Sequence, residues 1–303
     1  MNLLAVCMVI IAGAMWAGSG LAAQHFLAHN MHSAMDLTVF RMITTSLIIF
    51  LGILIQGSLK RDIAILRRNP LLLVEIFLYG IAIMIMQYAY FAGIGAGNAA
   101  VATVIQYICP GIVICWTALR QKKFPGIGEM LAVGFAIIGV FLLVTGGNLN
   151  NLSVPAACIY FSLVSALFYA VCAVYPKHLM VTVNNSFLLM FGMLFGGAAG
   201  YIINPIADIG AFLAADVLFD MFMIIICGTV VAFICYNAGL AWLSEGQASV
   251  TATVEPAISV IASYFLFDTS FGVMQTVGII LVIAAIIMPV AIKENKGNSR
   301  YSP

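Results

Sequence analysis

Ala102-Thr103-Val104-Ile105-Gln106-Tyr107-Ile108-Cys109-Pro110 aligns without gaps to Ala248-Ser249-Val250-Thr251-Ala252-Thr253-Val254-Glu255-Pro256. Three positions match, two more are conservative, and both stretches end on a proline within an apolar run. An internal repeat settles architecture before any single motif does. Upstream, Gly80 pairs with Gly228 and Tyr88 with Tyr236. Further upstream, Ala17 pairs with Ala170 and His25 with His178.

The repeated segments lie in a chain of 303 residues that is 64% hydrophobic and only 8% charged, with a mean hydropathy of +1.13. Soluble domains carry roughly 25% charged residues, so lipid is the solvent this composition requires. A net charge of +1 leaves no basic face for nucleic acid. The seven cysteines all fall in apolar runs without metal spacing and are read as small packing residues.

Residues 76–119 carry no charge and are too long for one crossing of about 20 residues. Gly93-Ile94-Gly95-Ala96-Gly97-Asn98 is the expected turn between two helices. Residues 130–176 repeat the pattern, with a turn at Gly146-Gly147-Asn148-Leu149-Asn150-Asn151 and Pro155 opening the next helix. The whole chain predicts an all-α integral membrane protein of ten transmembrane helices, near 3–23, 36–56, 71–92, 98–119, 126–145, 154–175, 186–203, 217–239, 246–267 and 271–292. No basic residue precedes the first run, so Leu21-Ala22-Ala23 is read as part of a span and not as a cleavage site.

Basic residues test the count. Lys60, Arg61, Arg67, Arg68, Arg120, Lys122, Lys123, Lys177, Lys293, Lys296 and Arg300 all fall on one side of a ten-span topology, which is eleven of the twelve. The positive-inside rule then places both termini in the cytoplasm. Five helices per half is an odd number, so the halves insert with opposite orientation. The expected units are residues 1–146 (helices 1–5) and 147–303 (helices 6–10), the second ending in a short cytoplasmic tail, 293–303.

Ten helices in a 5+5 inverted-topology repeat resemble the EamA family of the drug/metabolite transporter superfamily. The residues that carry the resemblance run nearly the whole chain. They are Ala14-Met15-Trp16-Ala17-Gly18-Ser19, Arg41, Asn98-Ala99-Ala100-Val101-Ala102-Thr103 leading to Pro110, Gly128 and Gly134, Glu255-Pro256, and Gly278. They look closest to a bacterial inner-membrane permease branch whose members mostly lack an assigned substrate. One departure is Arg120, where family members often carry an acid; Asp268 occupies the matching end of helix 9. The resemblance implies a secondary transporter in the bacterial cytoplasmic membrane, working by alternating access. It would export a small neutral or zwitterionic metabolite, such as an amino acid, either with proton coupling or as an uncoupled facilitator. It implies no cofactor and no enzyme activity. The expected partners are the substrate, the bilayer and either no second protein or a second copy of the chain.

A charge at membrane depth costs at least about 2.5 kcal/mol, so each one is a candidate site. Asp36, Glu75, Glu129, Asp208, Asp216, Asp220 and Asp268 lie near predicted helix ends and are read as solvated. Glu255 lies near the middle of helix 9, on one face with Thr251, Ser259 and Ser263. It is either a protonatable coupling group or a structural acid held by hydroxyls beside a Pro256 kink. Gln106, near the same depth in helix 4, is either interhelical glue or a substrate contact. Family resemblance adds Trp16, Gln87, Tyr90, Tyr107, Tyr169 and Tyr236 as cavity candidates. Arg41, the twelfth basic residue, has three readings: snorkelling outward, pairing with Asp36, or holding a substrate carboxylate. A single arginine suits a carboxylate better than a phosphate.

Two patterns are read as structural. Gly192, Gly196 and Gly200 allow close helix packing within the chain, with dimerisation the alternative. His25, His29 and His32 have metal-like spacing but fall in a stretch read as a flexible polar loop. A membrane enzyme or lipid-handling protein would call for clustered acids, histidines or a metal site at the interface, and none stands out. A non-transporting sensory protein is the other alternative.

Overall fold

The computed structural model describes residues 3–30, 32–56, 59–122, 124–148, 152–243, 248 and 251–298. Residues 149–151 of the second predicted turn, 246, 247, 249 and 250 of the predicted ninth helix, and 299–303 of the tail lie outside the described residues.

Every regular element among the described residues is helical: α1 (Leu3–His29), α2 (Ala34–Gln56), α3 (Leu59–Arg68), α4 (Leu71–Ala96), α5 (Ala99–Gln106), α6 (Cys109–Gln121), α7 (Ile127–Thr145), α8 (Ala156–Val174), α9 (Asn185–Ile203), α10 (Leu218–Leu240), α11 (Val254–Phe267) and α12 (Val273–Asn298). In lipid every backbone polar group must be satisfied internally, and a helix does this within its own segment. Eight spans, with α5 and α6 counted as one, are long and apolar enough to cross a bilayer; α11 and the apolar part of α12 complete the ten. The short α3 connects the second and third spans. The face at which α1 begins is called near, and the opposite face far.

Two expectations about helix ends are corrected. Helix α1 runs on to His29, so His25 and His29 are helical and not in a loop. Helix α4 continues through Gly93 and Gly95 to Ala96, with Gly97 as its cap. Gly93 marks a close crossing and not a turn, because a Cβ there would strike Ser162 Oγ.

That crossing occurs twice. At Gly93 of α4 an added Cβ would meet Ser162 Oγ, Ser162 N and Cys158 O of α8; at Gly239 of α10 it would meet Val9 Cγ2, Ala5 O and Val9 N of α1. Ser162 and Cys158 lie 153 positions beyond Val9 and Ala5, and Gly239 lies 146 beyond Gly93. The α4–α8 and α10–α1 contacts are therefore one contact built with the halves exchanged. On the axis between them, Gly139 of α7 and Gly278 of α12 each approach the other's carbonyl oxygen.

A gapless pairing of Gly80 with Gly228 is two positions out at this level. Gly80 packs on Gly192 and Gly196 of α9, whereas Gly228 packs on Ser19 of α1. α10 also carries a π-helical stretch, Phe222–Val231, whose wider turns use more residues per unit length. The small-residue stripe of α9 is occupied within the chain: Gly192 meets Tyr79 and Ile83, Gly196 meets Met42, and Gly200 meets Val39.

Candidate functional site

Two prolines shape the centre. Proline has no N–H, so Pro110 cannot bond the carbonyl of Gln106, nor Pro256 that of Ala252. The fourth span breaks accordingly at Tyr107-Ile108, between α5 and α6, and the ninth turns at Thr253 before α11 begins. Tyr107 and Thr253 are 146 positions apart, the same shift as in the sequence repeat.

Tyr107 spans the two breaks. Its hydroxyl lies 2.8 Å from Glu255 Oε2, to which it donates, and 3.3 Å from the Ala252 carbonyl that Pro256 leaves without its helical donor. Glu255 is buried, so its ionised form would lack bulk water and depend on this donor. Nearby, Tyr90 Oη and Thr103 Oγ1 share a hydrogen bond of 2.8 Å. Asn98 caps α5 by accepting from Val101 N at 2.8 Å, and Gln24 of α1 accepts from Ala99 N at 2.7 Å. The broken span is thereby fixed from the far side.

Arg41 turns inward. Its Nε and one terminal nitrogen lie 3.3 and 3.2 Å from Thr229 Oγ1, that nitrogen lies 3.5 Å from the Gly228 carbonyl, and the guanidinium sits 5.4 Å from the centre of the Phe91 ring. Thr229 and Gly228 belong to the π-helical stretch, where the Thr229 hydroxyl also reaches Ile224 O. Neither the snorkelling nor the Asp36 pairing expected of Arg41 holds. Asp36 is engaged by Ser33, by Asn204 Nδ2 at 2.6 Å and by His32 at 3.8 Å. Among the described residues Arg41 has no carboxylate within ion-pairing distance. It lies near Glu255 and Tyr90.

Toward the near face, Trp16 packs against Tyr236 with ring centroids 5.4 Å apart, and Tyr169 lies within electrostatic range of both Glu255 and Tyr236. Tyr169 is 37% exposed although it comes from the middle of the bundle's length, and Trp16, Tyr90, Tyr107 and Tyr236 are half-buried. At the far end the cluster is sealed by Phe26, Phe91 and Phe212, all fully buried, with Phe40 stacked on Phe212 and His32 tilted against it.

The structure thus brings together Trp16, Tyr90, Tyr107, Tyr169, Tyr236, Glu255 and Arg41. Gln106 stands beside them, but its Nε2 donates to Ser165 Oγ at 2.6 Å, and Ser165 in turn donates to Met86 O at 2.9 Å. Gln87 is not brought into the set. Its Nε2 points to Met193 Sδ at 3.5 Å on α9, and its buried Oε1 has no hydrogen-bond partner among the described residues.

Thr229, Ser165 and Phe91 were not singled out from sequence, because a lone hydroxyl or ring in an apolar run carries no signal of which way it faces. Asp220, expected to be solvated, is buried and lies 2.8 Å from His25 Nδ1. His29 returns to the His25 carbonyl at 2.9 Å and the His32 ring packs against Phe212 with centroids 4.6 Å apart, so these histidines are held by contacts and not in a flexible loop.

The EamA-like transporter family matches this chain twice, over residues 3–145 and 156–290. An uncharacterized inner membrane transporter of Salmonella typhimurium, YicL, is 29% identical over 283 residues, 92% of this chain and 93% of that one. An uncharacterized transporter of Bacillus subtilis, YcbK, is 25% identical over 194 residues, 62% of each chain. A solved structure titled only as the crystal structure of a protein shares the fold, with a TM-score of 0.61 at 13% identity, over 96% of this chain and 98% of its own.

Proposed function

The chain belongs to the EamA-like transporter family, a multi-pass membrane transporter and not an enzyme; on that premise we propose that it exports a small neutral or zwitterionic metabolite by alternating access through the cluster around Glu255. The observation that carries this reading is the Tyr107–Glu255 hydrogen bond, made where the two proline-broken spans meet. Binding between inverted repeats at broken helices is how many secondary transporters hold their substrates.

In this reading the substrate's carboxylate binds Arg41, whose guanidinium contacts the Thr229 hydroxyl and the Gly228 carbonyl but, among the described residues, has no acid within ion-pairing distance. Its ammonium or neutral polar end faces Glu255, and Trp16, Tyr90, Tyr107, Tyr169 and Tyr236 supply apolar walls with polar tips. Gln106, engaged by Ser165, acts as glue between α5 and α8. Glu255 takes a proton from the far side and releases it at the near side, so that the loaded and empty carriers differ in net charge. The near face is cytoplasmic, following the basic residues, and the membrane is the bacterial inner membrane, following the Salmonella relative. The protein works as residues 1–146 rocking against 147–303.

The test is a substrate screen on purified protein in proteoliposomes, set up in matched pairs that differ only in a carboxylate. The reading expects flux of carboxylate-bearing zwitterions and none of their decarboxylated amines. Flux of both alike would remove Arg41 from substrate recognition.

A further inference from the structure

Two histidine–carboxylate pairs lie at opposite faces of the bundle. At the far face His25 Nδ1 of α1 is 2.8 Å from Asp220 Oδ2 of α10. At the near face His178 Nε2, in the 3-10 turn that ends the sixth span, is 3.6 Å from Glu75 Oε1 of α4. Each pair joins the first half of the chain to the second.

The pairs are related by the inverted repeat. His178 lies 153 positions beyond His25, the shift that relates Ser162 to Val9 and Cys158 to Ala5 in the matched helix crossings. Asp220 lies 145 positions beyond Glu75, within one residue of the shift that relates Gly239 to Gly93. Chance placement of two histidine–carboxylate pairs does not reproduce both shifts on both partners.

Their states differ. The far pair is tight, with the Asp220 side chain 5% exposed and His25 48% exposed, beside the aromatic seal of Phe26 and Phe212. The near pair is loose, at 3.6 Å with side chains 54% and 42% exposed.

We propose that His25–Asp220 and His178–Glu75 are matched latches: the first closes the far face in the state described, and the second closes the near face in the opposite state. This inference rests on the alternating-access reading above. In an inverted repeat the second state is reached when the halves exchange conformations, so the near pair would shorten as the far pair opens. When closed, either latch can hold its hydrogen bond with the imidazole neutral or charged, because one ring nitrogen can donate in either state.

Hydrogen–deuterium exchange of the full chain in lipid nanodiscs, without substrate, tests the pair. Asp220→Asn is expected to speed exchange at the end of α1 and the start of α10 by roughly three- to tenfold, the effect of losing one partly exposed ion pair from a two-state balance, and to slow it at the start of α4 and the end of α8. Glu75→Gln is expected to do the reverse. The double variant should fall back between them. His25→Gln breaks the far latch from its exposed partner and serves if Asp220→Asn does not fold. Exchange that rises only next to each substitution, or rises at both faces in every variant, would overturn the latch assignment. Because substrate flux is measured separately, flux without this reciprocity would leave the transporter reading standing and remove only the latches.

Discussion

Tyr107 donates to Glu255 across 2.8 Å and reaches the Ala252 carbonyl at 3.3 Å, so a single phenol ties the broken fourth span to the broken ninth. The second contact follows from a proline four residues on, which leaves Ala252 without its helical donor. The first holds the buried carboxylate at the centre of the cluster. Tyr107→Phe should therefore lower both stability and transport. The expected loss of stability is about 1–3 kcal/mol, because a buried acceptor is left without its donor. Thermal unfolding in detergent together with proteoliposome flux checks this, and a variant unchanged in both would show the bond to be incidental.

Arg41 should divide affinity from folding. Arg41→Gln keeps a donor near Thr229 but removes the charge, and substrate affinity is expected to fall at least tenfold, a loss of about 1.4 kcal/mol or more. Arg41→Lys should recover part of that loss only, since an ammonium lacks the planar fork. Competition binding by scintillation proximity reads both variants. Equal affinity in all three proteins would make Arg41 a packing residue over Phe91.

The two copies of the helix crossing make a paired prediction. Gly93→Val and Gly239→Val each force a side chain into a neighbouring helix, and each should cost about 1–3 kcal/mol. Gly134→Ala, where nothing lies within 4 Å of the added Cβ, should be neutral or mildly stabilising. Melting temperatures of the three variants decide it; a large difference between the first two would argue against structural equivalence.

Gln106→Leu separates glue from ligand contact. It removes the bond to Ser165 but leaves Ser165 bonded to Met86, so the cost in stability is about 0.5–1.5 kcal/mol. Substrate affinity should stay within twofold. A larger fall in affinity than in stability would return Gln106 to the binding site.

The span pattern and the repeat could be read from the sequence because both depend on composition and order. An uncharged run of 44 residues forces a break wherever the small residues permit one. Pro256 is legible as a kink in the ninth span, whereas the break at Tyr107-Ile108 falls inside the helix expected over 98–119. What could not be read depends on helix rotation and local pitch. Gln87 shares a helix with Tyr90 and sits only about 60° from it around the axis, yet it reaches Met193 of α9, because so small a rotation decides which neighbouring helix a side chain meets. Arg41 left its expected partner because the π-helical stretch of α10 offered Thr229 and Gly228 at its depth, and no period in the sequence signals such a stretch. Asp220 looked like a helix-end acid until α1 proved long enough to bring His25 to it.

The central claim is that Glu255 couples transport to protons. The most direct test is flux of an identified substrate in proteoliposomes, with and without an imposed pH gradient, for wild type and Glu255→Gln. The account predicts wild-type flux that the gradient accelerates, and residual flux in the variant that is indifferent to it. A variant that keeps both its flux and its response to the gradient would contradict the account and leave Glu255 as a structural acid held by Tyr107.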